Sequence, residues 1–247
     1  MYRLLSANLY RLRIYKPFWI NLFILVIIEA LLTFMLVVQG EVPLDFTLFI
    51  VLLVIGIITS FFIGLFYGTE YSDGTIRNKV IAGHKRITIY SASLLIGIIS
   101  ISALYFVSLI VGVFIVLMFS KDGNYDLLHF LVSSIIGWLS CVSIASIFNM
   151  IGMLCSSKSK SSTTCILVSF MFLLIGLICY SLSLQGLNSS IFSEAVQFLF
   201  DANPFVQGIQ ISTVDYLTIY KLGFYCLYLI LITNLVGMHI FNKKELK

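Results

Sequence analysis

Hydrophobic residues fill most of the chain in six long runs that short polar stretches separate. The runs cover residues 18–38, 47–67, 89–119, 129–154, 164–184 and 219–241. About 20 mostly apolar residues carry a helix across the hydrocarbon core of a bilayer. Backbone polar groups in lipid must pair within their own segment, which favours helices. The pattern therefore predicts an all-α integral membrane protein, in which residues 1–247 form one transmembrane domain with six spans.

Residues 1–17 precede the first run and combine apolar with basic side chains. Four apolar residues recur at helical spacing, with the arginines on other faces: Tyr2, Leu5, Leu9 and Leu12. This arrangement favours a helix that lies in the membrane interface and is ended by Pro17. The alternative is a charged leader without fixed structure.

Residues 185–218 lie between the fifth and sixth runs. They are too apolar for a free loop, yet too short and interrupted to cross the membrane. Ser190 or Ser193 is placed to cap a short helix, which Asn203-Pro204 would end. We expect a re-entrant or interfacial outer segment, because helical backbone is tolerated inside the membrane where it packs against protein. A folded outer loop is the alternative.

The composition supports the same class of protein. Hydrophobic residues make up 60% of the chain and charged residues 11%, with a mean hydropathy of +1.07. A soluble domain contains roughly 25% charged residues, so the composition excludes that class. The five cysteines lie in or beside the runs without any metal-binding spacing, which is typical of small apolar packing residues.

The lysines and arginines indicate the orientation. Four precede the first run, four lie between the second and third, two lie between the fourth and fifth, and three follow the last. These 13 of the 15 bases fall on one side of a six-span bundle. Positive charges collect on the cytoplasmic side of membranes, which predicts a multi-pass protein with both termini in the cytoplasm. The span lengths fit the plasma membrane, the expected location, without excluding other membranes. Anionic lipid headgroups are the expected partners of these bases, and nucleic acid is not.

The longest polar stretch is "GTEYSDGTIRNKVIAGHKR", residues 68–86, between the second and third runs. Ser72 or Asp73 is placed to cap a helix start, and residues 75–82 would form about two turns. Gly83 follows at the position favoured for a helix stop. The pattern predicts a short amphipathic helix on the cytoplasmic side.

Ile76 and Val80 lie four apart on one face of this short helix, with Arg77 and Lys79 beside them. Such a helix can pack on lipid headgroups. The alternative is that it offers Ile76 and Val80 to a groove on a partner protein.

The residues Glu70, Gly74-Thr75, Gly83 and Arg86 resemble the Glu-x-x-x-Gly-Thr … Arg signature that follows the second span of ABC-2-type transporter permeases. The resemblance extends to the N-terminal interfacial helix, the six spans and the outer segment before the last span. It implies a half-permease without a fused ATPase, which pairs with a second permease subunit, identical or related. In that family residues 70–86 would be the cytoplasmic coupling segment that docks into a separate ABC ATPase subunit.

The residues that the resemblance assigns to this coupling form one set: Glu70, Ser72, Asp73, Gly74, Thr75, Ile76, Arg77, Lys79, Val80, Gly83 and Arg86. ATP and magnesium would be bound by the partner ATPase, and no cofactor by this chain. Compact permeases of this type often export or confer immunity to antimicrobial or amphipathic peptides in Gram-positive bacteria. A peptide is therefore the expected substrate, with lipid-linked and drug-like molecules as the alternatives.

Glu29 lies midway along the first run. A carboxyl group in the middle of a membrane is costly, which by default indicates a function. It would either line the translocation path or, when protonated, bond a Ser, Thr or Asn side chain of a neighbouring helix. Asn149 is one candidate for that role.

The chain contains neither a P-loop nor a dinucleotide-binding glycine motif, and its three histidines lack metal-ligand spacing. We therefore expect no catalytic residue, no metal site and no enzymatic activity in this chain. Two other kinds of protein stay open: an ion-coupled secondary transporter, which would use intramembrane charges such as Glu29, and a membrane scaffold or sensor subunit without transport activity.

Overall fold

The computed structural model describes residues 1–39, 44–119, 127–184, 191–212 and 216–244. Within these ranges the chain is helical and forms no strand. The helices in chain order are α1 (Tyr2–Ile14), α2 (Lys16–Gln39), α3 (Leu44–Phe49), α4 (Leu52–Ser72), α5 (Thr75–Ile81), α6 (Arg86–Phe119), α7 (Leu127–Leu154), α8 (Lys158–Leu184), α9 (Ile191–Asp201), α10 (Gln207–Ile211) and α11 (Tyr216–Lys243).

Six stretches of the described chain are long and apolar enough to cross a membrane. They are α2, the α3–α4 stretch from Phe46 to Ser72, and α6, α7, α8 and α11. Each contains one of the six hydrophobic runs. The prediction of an all-α, multi-pass membrane protein is confirmed.

Several helices continue beyond the apolar runs that predicted them. α4 extends to Ser72, α6 begins at Arg86, and α8 begins at Lys158. Backbone hydrogen bonding does not depend on side-chain polarity, so a helix can continue from lipid into water. Glu70 and Ser72 consequently belong to the long helix α4. The stretch between the long helices α4 and α6, which contains α5, is therefore shorter than the sequence predicted.

Helices α4 and α7 form the centre of the bundle and are mostly buried, whereas α2, α8 and α11 expose most of their residues. α8 packs along α4, α11 along α7, and α2 along α6. Small residues allow these close approaches. A Cβ atom at Gly152 of α7 would lie 2.8 Å from the Tyr67 ring of α4. Glycine at such contacts is typical of helices packed within membranes, where backbone proximity replaces the hydrophobic effect.

The described part of the outer segment is packed into the bundle. Every residue of α10 is buried, and a Cβ atom at Gly208 would lie 2.2 Å from the Phe49 carbonyl oxygen of α3. Asn203 Nδ2 donates to Phe172 O of α8 at 2.7 Å, just after α9 ends at Asp201. These contacts favour an inserted segment over a free loop. The proposed cap Ser190 lies outside the described residues.

A buried polar network holds the outer segment in place. Asp201 Oδ1 accepts hydrogen bonds from Gln197 and Gln210, each at 2.7 Å, and Oδ2 lies 3.1 Å from Lys221 Nζ. Gln207 Nε2 donates to the Asp201 carbonyl at 2.8 Å. A buried carboxylate is tolerated when it is paired and hydrogen-bonded in this way. The network connects α9, α10 and α11.

Helix α1 is ordered, as the helical interpretation of residues 1–17 predicted, but its buried face differs. Leu4, Asn8 and Leu12 face the protein, whereas Tyr2 and Leu9 are exposed. The predicted apolar face was therefore only partly right, since Leu12 is buried and Leu5 packs against the core. Spacing alone cannot identify which side of an amphipathic helix contacts protein when both sides carry large apolar residues.

Candidate functional site

Glu70 joins three helices at one end of the bundle. Its carboxylate is buried near the end of α4, where Oε1 lies 2.6 Å from Arg11 Nη1 and 3.0 Å from Lys79 Nζ. Arg11 belongs to α1 and Lys79 to α5. The Lys79 amine also lies 3.1 Å from Asn8 Oδ1 of α1 and donates to it. Lys79 therefore bonds α5 directly to both α1 and α4. We call this end of the molecule, where α1, α5 and the end of α11 lie, the basic end.

Arg11 attaches α1 to α4 through more than its ion pair. Nη2 donates to the Phe66 carbonyl at 2.8 Å and to the Thr69 hydroxyl. The guanidinium carbon lies 4.3 Å from the centroid of the Phe66 ring. A planar guanidinium can donate in several directions at once, which suits this contact. Sequence reasoning missed Arg11 and Asn8, because their partners are distant in the chain and no local pattern marks them.

The turn into α5 depends on glycine and not on the predicted side-chain cap. Gly74 precedes α5 with a φ of 65°, and no side chain caps the helix. Ser72 donates to Thr69 O at 3.1 Å within α4, and Asp73 is the residue at which α4 stops. The cap prediction was therefore wrong. Thr75 Oγ1 instead donates to the Glu70 carbonyl at 2.9 Å and connects α5 to α4.

Gly83 ends α5, as the sequence predicted. Its φ is 85°, in the left-handed region that glycine adopts without strain. The Gly83 amide donates to Val80 O at 3.0 Å, and the His84 amide donates to Lys79 O at 3.2 Å. This pair of bonds satisfies carbonyls that a helix end would otherwise leave free.

Helix α5 turns its predicted docking face inward. Ile76 is 1% exposed, and Val80 packs against the hydrophobic core. Neither side chain is offered to a partner. The outer face carries Arg77, Asn78 and Ile81 instead, and Ile81 is 73% exposed. The sequence identified an amphipathic helix but assigned its faces the wrong way round, because the core beneath it is itself apolar.

Arg86 connects the far end of the 70–86 segment to the last helix. Its Nη1 atom donates to Asn242 O of α11 at 3.0 Å and to the Lys244 carbonyl. These are carbonyls at the C-terminal end of α11, where the helix dipole favours a cation. The segment is thus attached to other helices at both ends, by Glu70 and by Arg86.

Lys244 continues this connection toward the centre of the bundle. Its amine donates to Tyr71 Oη at 2.9 Å and to the carbonyls of Met153 and Cys155, at 3.2 and 3.1 Å. It also lies 4.1 Å from the centroid of the Tyr71 ring. Burial lowers the pKa of the Lys244 amine to about 8. Arg86 and Lys244 together join the ends of α4, α6, α7 and α11.

Glu29 is fully buried in α2, and α6 packs against it. Thr33 Oγ1, one turn along the same helix, donates to Glu29 Oε1 at 3.1 Å. A Cβ atom at Gly112 of α6 would lie 2.5 Å from that oxygen. Glu29 Oε2 has no hydrogen-bond partner among the described residues. The carboxyl group is therefore enclosed by protein, and only one of its two oxygens is hydrogen-bonded within the described residues.

Asn149 does not partner Glu29. It is fully buried in α7, where the Tyr90 hydroxyl of α6 lies beside its amide, but neither polar atom makes a hydrogen bond of good geometry in the described part of the chain. The suggested bond between the two side chains was wrong. Both residues are still unusual, since buried polar groups are normally hydrogen-bonded.

The chain matches no protein-family model, and no curated protein matches it.

Proposed function

We propose that this chain is the membrane-spanning subunit of an ATP-driven exporter of the ABC-2 type, in which α5 docks into a separate cytoplasmic ATPase. One observation carries the proposal. The short helix α5 projects between two spans at the basic end, exposes Ile81 beside a basic residue, and is bonded through Lys79 and Glu70 to α1 and α4. This arrangement suits the transfer of force better than simple anchoring.

The basic end would face the cytoplasm, in agreement with the distribution of the bases along the sequence. The membrane would be the plasma membrane. Because this chain has no P-loop, ATP and magnesium would be bound by the ATPase subunit. A second permease subunit, identical or related, would complete the path across the membrane.

Movement of α5 would reach the spans by two routes. Through Lys79 and Glu70 it would displace α4, which lies at the centre of the bundle. Through Arg86 it would displace the end of α11, which packs along α7. Packed helices shift as units because their interfaces are close-packed and do not deform continuously. Closure of the ATPases would thus change the arrangement of both central helices.

The proposed docking surface is the outer face of α5, formed by Arg77, Asn78 and Ile81. An exposed isoleucine next to a cation fits an apolar groove bordered by acidic residues. Ile76 and Val80 would act beneath this surface by attaching α5 to the bundle.

The proposed cargo is a peptide of the antimicrobial or amphipathic kind, as the resemblance implies. Glu29 and Asn149 are proposed as residues of the path. Each is buried with polar atoms that have no partner in the described residues, and water or a polar cargo group would satisfy them.

Co-purification with an ATPase tests the docking proposal. The tagged chain is purified in mild detergent with the ATPase that is made alongside it, and the partner is identified by its ATP hydrolysis. Ile81→Asp should abolish the association, because it places a carboxylate in an apolar groove. Ile191→Asp is the matched control, since Ile191 is 89% exposed on α9, away from the basic end. Full association and ATP-driven transport with Ile81→Asp would refute the proposal.

Glu29 favours one competing function, an ion-coupled transporter. A buried carboxyl with a free oxygen can bind and release a proton. Transport by reconstituted vesicles separates the two functions. Transport that needs internal ATP and survives an uncoupler supports the exporter, whereas transport that stops with the uncoupler and ignores ATP supports the carrier.

A further inference from the structure

One face of α1 is not covered by protein. It carries two bases, Arg3 and Arg13, among large exposed side chains. Tyr2 is 84% exposed, Tyr10 69% and Ile14 58%. Aromatic residues interspersed with arginine are typical of surfaces that lie at the boundary between lipid and water.

Helix α1 is held close to the start of a membrane span. It ends at Ile14, and α2 begins at Lys16, so a single residue separates them. Trp19 of α2 donates from Nε1 to the Arg13 carbonyl at 2.8 Å. Since α2 is long and apolar enough to cross a membrane, the exposed face of α1 must lie at or near the membrane surface.

The charge of this face is not neutralised within the protein. The chain contains no acidic residue before Glu29. Arg11 is paired with Glu70, but Arg3, Arg13 and Lys16 have no acidic partner in the residues that the structure describes. Three cations therefore face outward beside the membrane, where a counterion from the lipid can reach them.

The opposite face of α1 carries the contacts to the 70–86 segment. Asn8 accepts from Lys79 of α5, and Arg11 pairs with Glu70 of α4. Both contacts lie on the side of α1 that faces the bundle. The position of α1 at the membrane and the position of α5 are therefore linked by direct bonds.

We propose that Arg3 and Arg13 on the exposed face of α1, together with the adjoining Lys16 at the start of α2, bind anionic phospholipid headgroups and that this binding holds α5 in place through the Asn8–Lys79 contact. A base near an anionic membrane surface favours an anionic headgroup roughly fivefold. The binding and its effect on α5 do not require the proposed exporter function. Regulation of ATPase docking by lipid, which would follow, rests on that function.

Tryptophan fluorescence tests the binding. The chain has two tryptophans, and Trp138→Phe leaves Trp19 as the reporter, close to Arg13. The protein is placed in phosphatidylcholine nanodiscs that contain dibrominated phosphatidylglycerol or, at the same mole fraction, dibrominated phosphatidylcholine. Phosphatidylglycerol should quench Trp19 more strongly. The triple variant Arg3→Gln/Arg13→Gln/Lys16→Gln should lose this preference.

Two further variants keep the binding test interpretable. The matched control Lys158→Gln/Lys160→Gln/Lys243→Gln removes three other exposed bases near the basic end and should retain the preference. The conservative variant Arg3→Lys/Arg13→Lys/Lys16→Arg keeps the charge and should retain it as well. Equal quenching by both lipids in the parent protein, or an unchanged preference in the triple Gln variant, would overturn the proposal.

Hydrogen exchange of the α5 amides tests the link. Replacing part of the phosphatidylcholine with phosphatidylglycerol should slow exchange in residues 75–81 of the parent protein. Lys79→Met should lose this slowing while the Trp19 preference persists, and Lys79→Arg should restore it. Exchange in α5 that is the same in both lipids, or that still responds to phosphatidylglycerol in Lys79→Met, would overturn the link. Neither readout involves the ATPase, so failure here is distinct from failure of the exporter proposal.

Discussion

The Arg86 side chain of α6 donates a hydrogen bond of 3.0 Å to the carbonyl of Asn242, at the end of α11 and 156 positions later in the chain. At the other end of the same segment, Glu70 lies 2.6 Å from Arg11. The 70–86 segment is therefore attached on both sides to helices that are distant in sequence. These contacts connect α5, through its two flanking residues, to α1 and α11.

Loss of the Glu70 carboxylate should destabilise the basic end. Glu70→Gln leaves Arg11 and Lys79 without their shared anion. Removing one partner of a buried ion pair costs about 3–5 kcal/mol, and we expect the lower part of that range because Arg11 and Lys79 are partly exposed. Thermal unfolding in detergent measures the change. Asp73→Asn, at an exposed acid three residues from Glu70 that does not join the ion pair, should be nearly neutral. Equal stability of Glu70→Gln and the parent would contradict the role assigned to Glu70.

Substitutions on the two faces of α5 should have opposite consequences. Ile76→Asp buries a charge at a position that is 1% exposed and should reduce the yield of folded protein sharply. Ile81→Asp, at a 73% exposed position, should leave thermal stability within about 0.5 kcal/mol of the parent. Size-exclusion profiles and unfolding temperatures distinguish the two. A folded, stable Ile76→Asp protein would mean that α5 does not pack as described.

The glycine at position 74 should be required for its backbone conformation alone. Its φ is 65°, and a Cβ atom there would meet nothing within 4 Å. Gly74→Ala should therefore cost about 1–2 kcal/mol from strain without any clash. Gly74→Asn should cost less, because asparagine adopts the left-handed region more readily. Comparable unfolding temperatures for the Ala variant and the parent would argue against this turn.

The partly buried amine of Lys244 should make the stability of the protein depend on pH in the alkaline range. Burial lowers its pKa to about 8 from the usual 10.5, so the unfolded chain binds more protons between these values. Stability contributed by this residue should therefore rise as pH increases from about 8 toward 10.5. The measurement is the unfolding temperature of the parent relative to Lys244→Met across that range. A difference that stays constant or shrinks would contradict the lowered pKa.

Replacing Asn149 with leucine should change the stability of the protein and its transport activity in opposite directions. The buried amide of Asn149 makes no hydrogen bond of good geometry among the described residues, although the Tyr90 hydroxyl lies beside it, so Asn149→Leu replaces a poorly paired polar side chain with an apolar one of similar size. Recovering that penalty should raise stability by about 1–3 kcal/mol. Transport should fall if the amide lines the path. A less stable Leu variant would show that the amide is hydrogen-bonded within the fold.

The lengths and spacing of the hydrophobic runs were enough to predict six spanning helices, because a bilayer imposes a minimum apolar length and requires backbone groups to pair locally. Gly83 was predicted as the end of α5 for a similarly local reason, since its left-handed backbone serves the carbonyls of its own helix. The insertion of residues around Asn203 into the bundle could also be anticipated, from an apolar content that a free loop does not carry.

The sequence by itself determined the helical membrane fold and the place of a short helix between the second and third spans. Only the tertiary structure decided which face of that helix points inward, with Ile76 buried and Ile81 exposed. It also decided that Arg11, Asn8 and Lys79 meet around Glu70. Helical periodicity is a property of neighbouring residues, whereas these contacts depend on how distant helices pack. The sequence therefore identified residues 70–86 as the candidate coupling segment, but the helices packed around this segment decide which face of α5 is exposed.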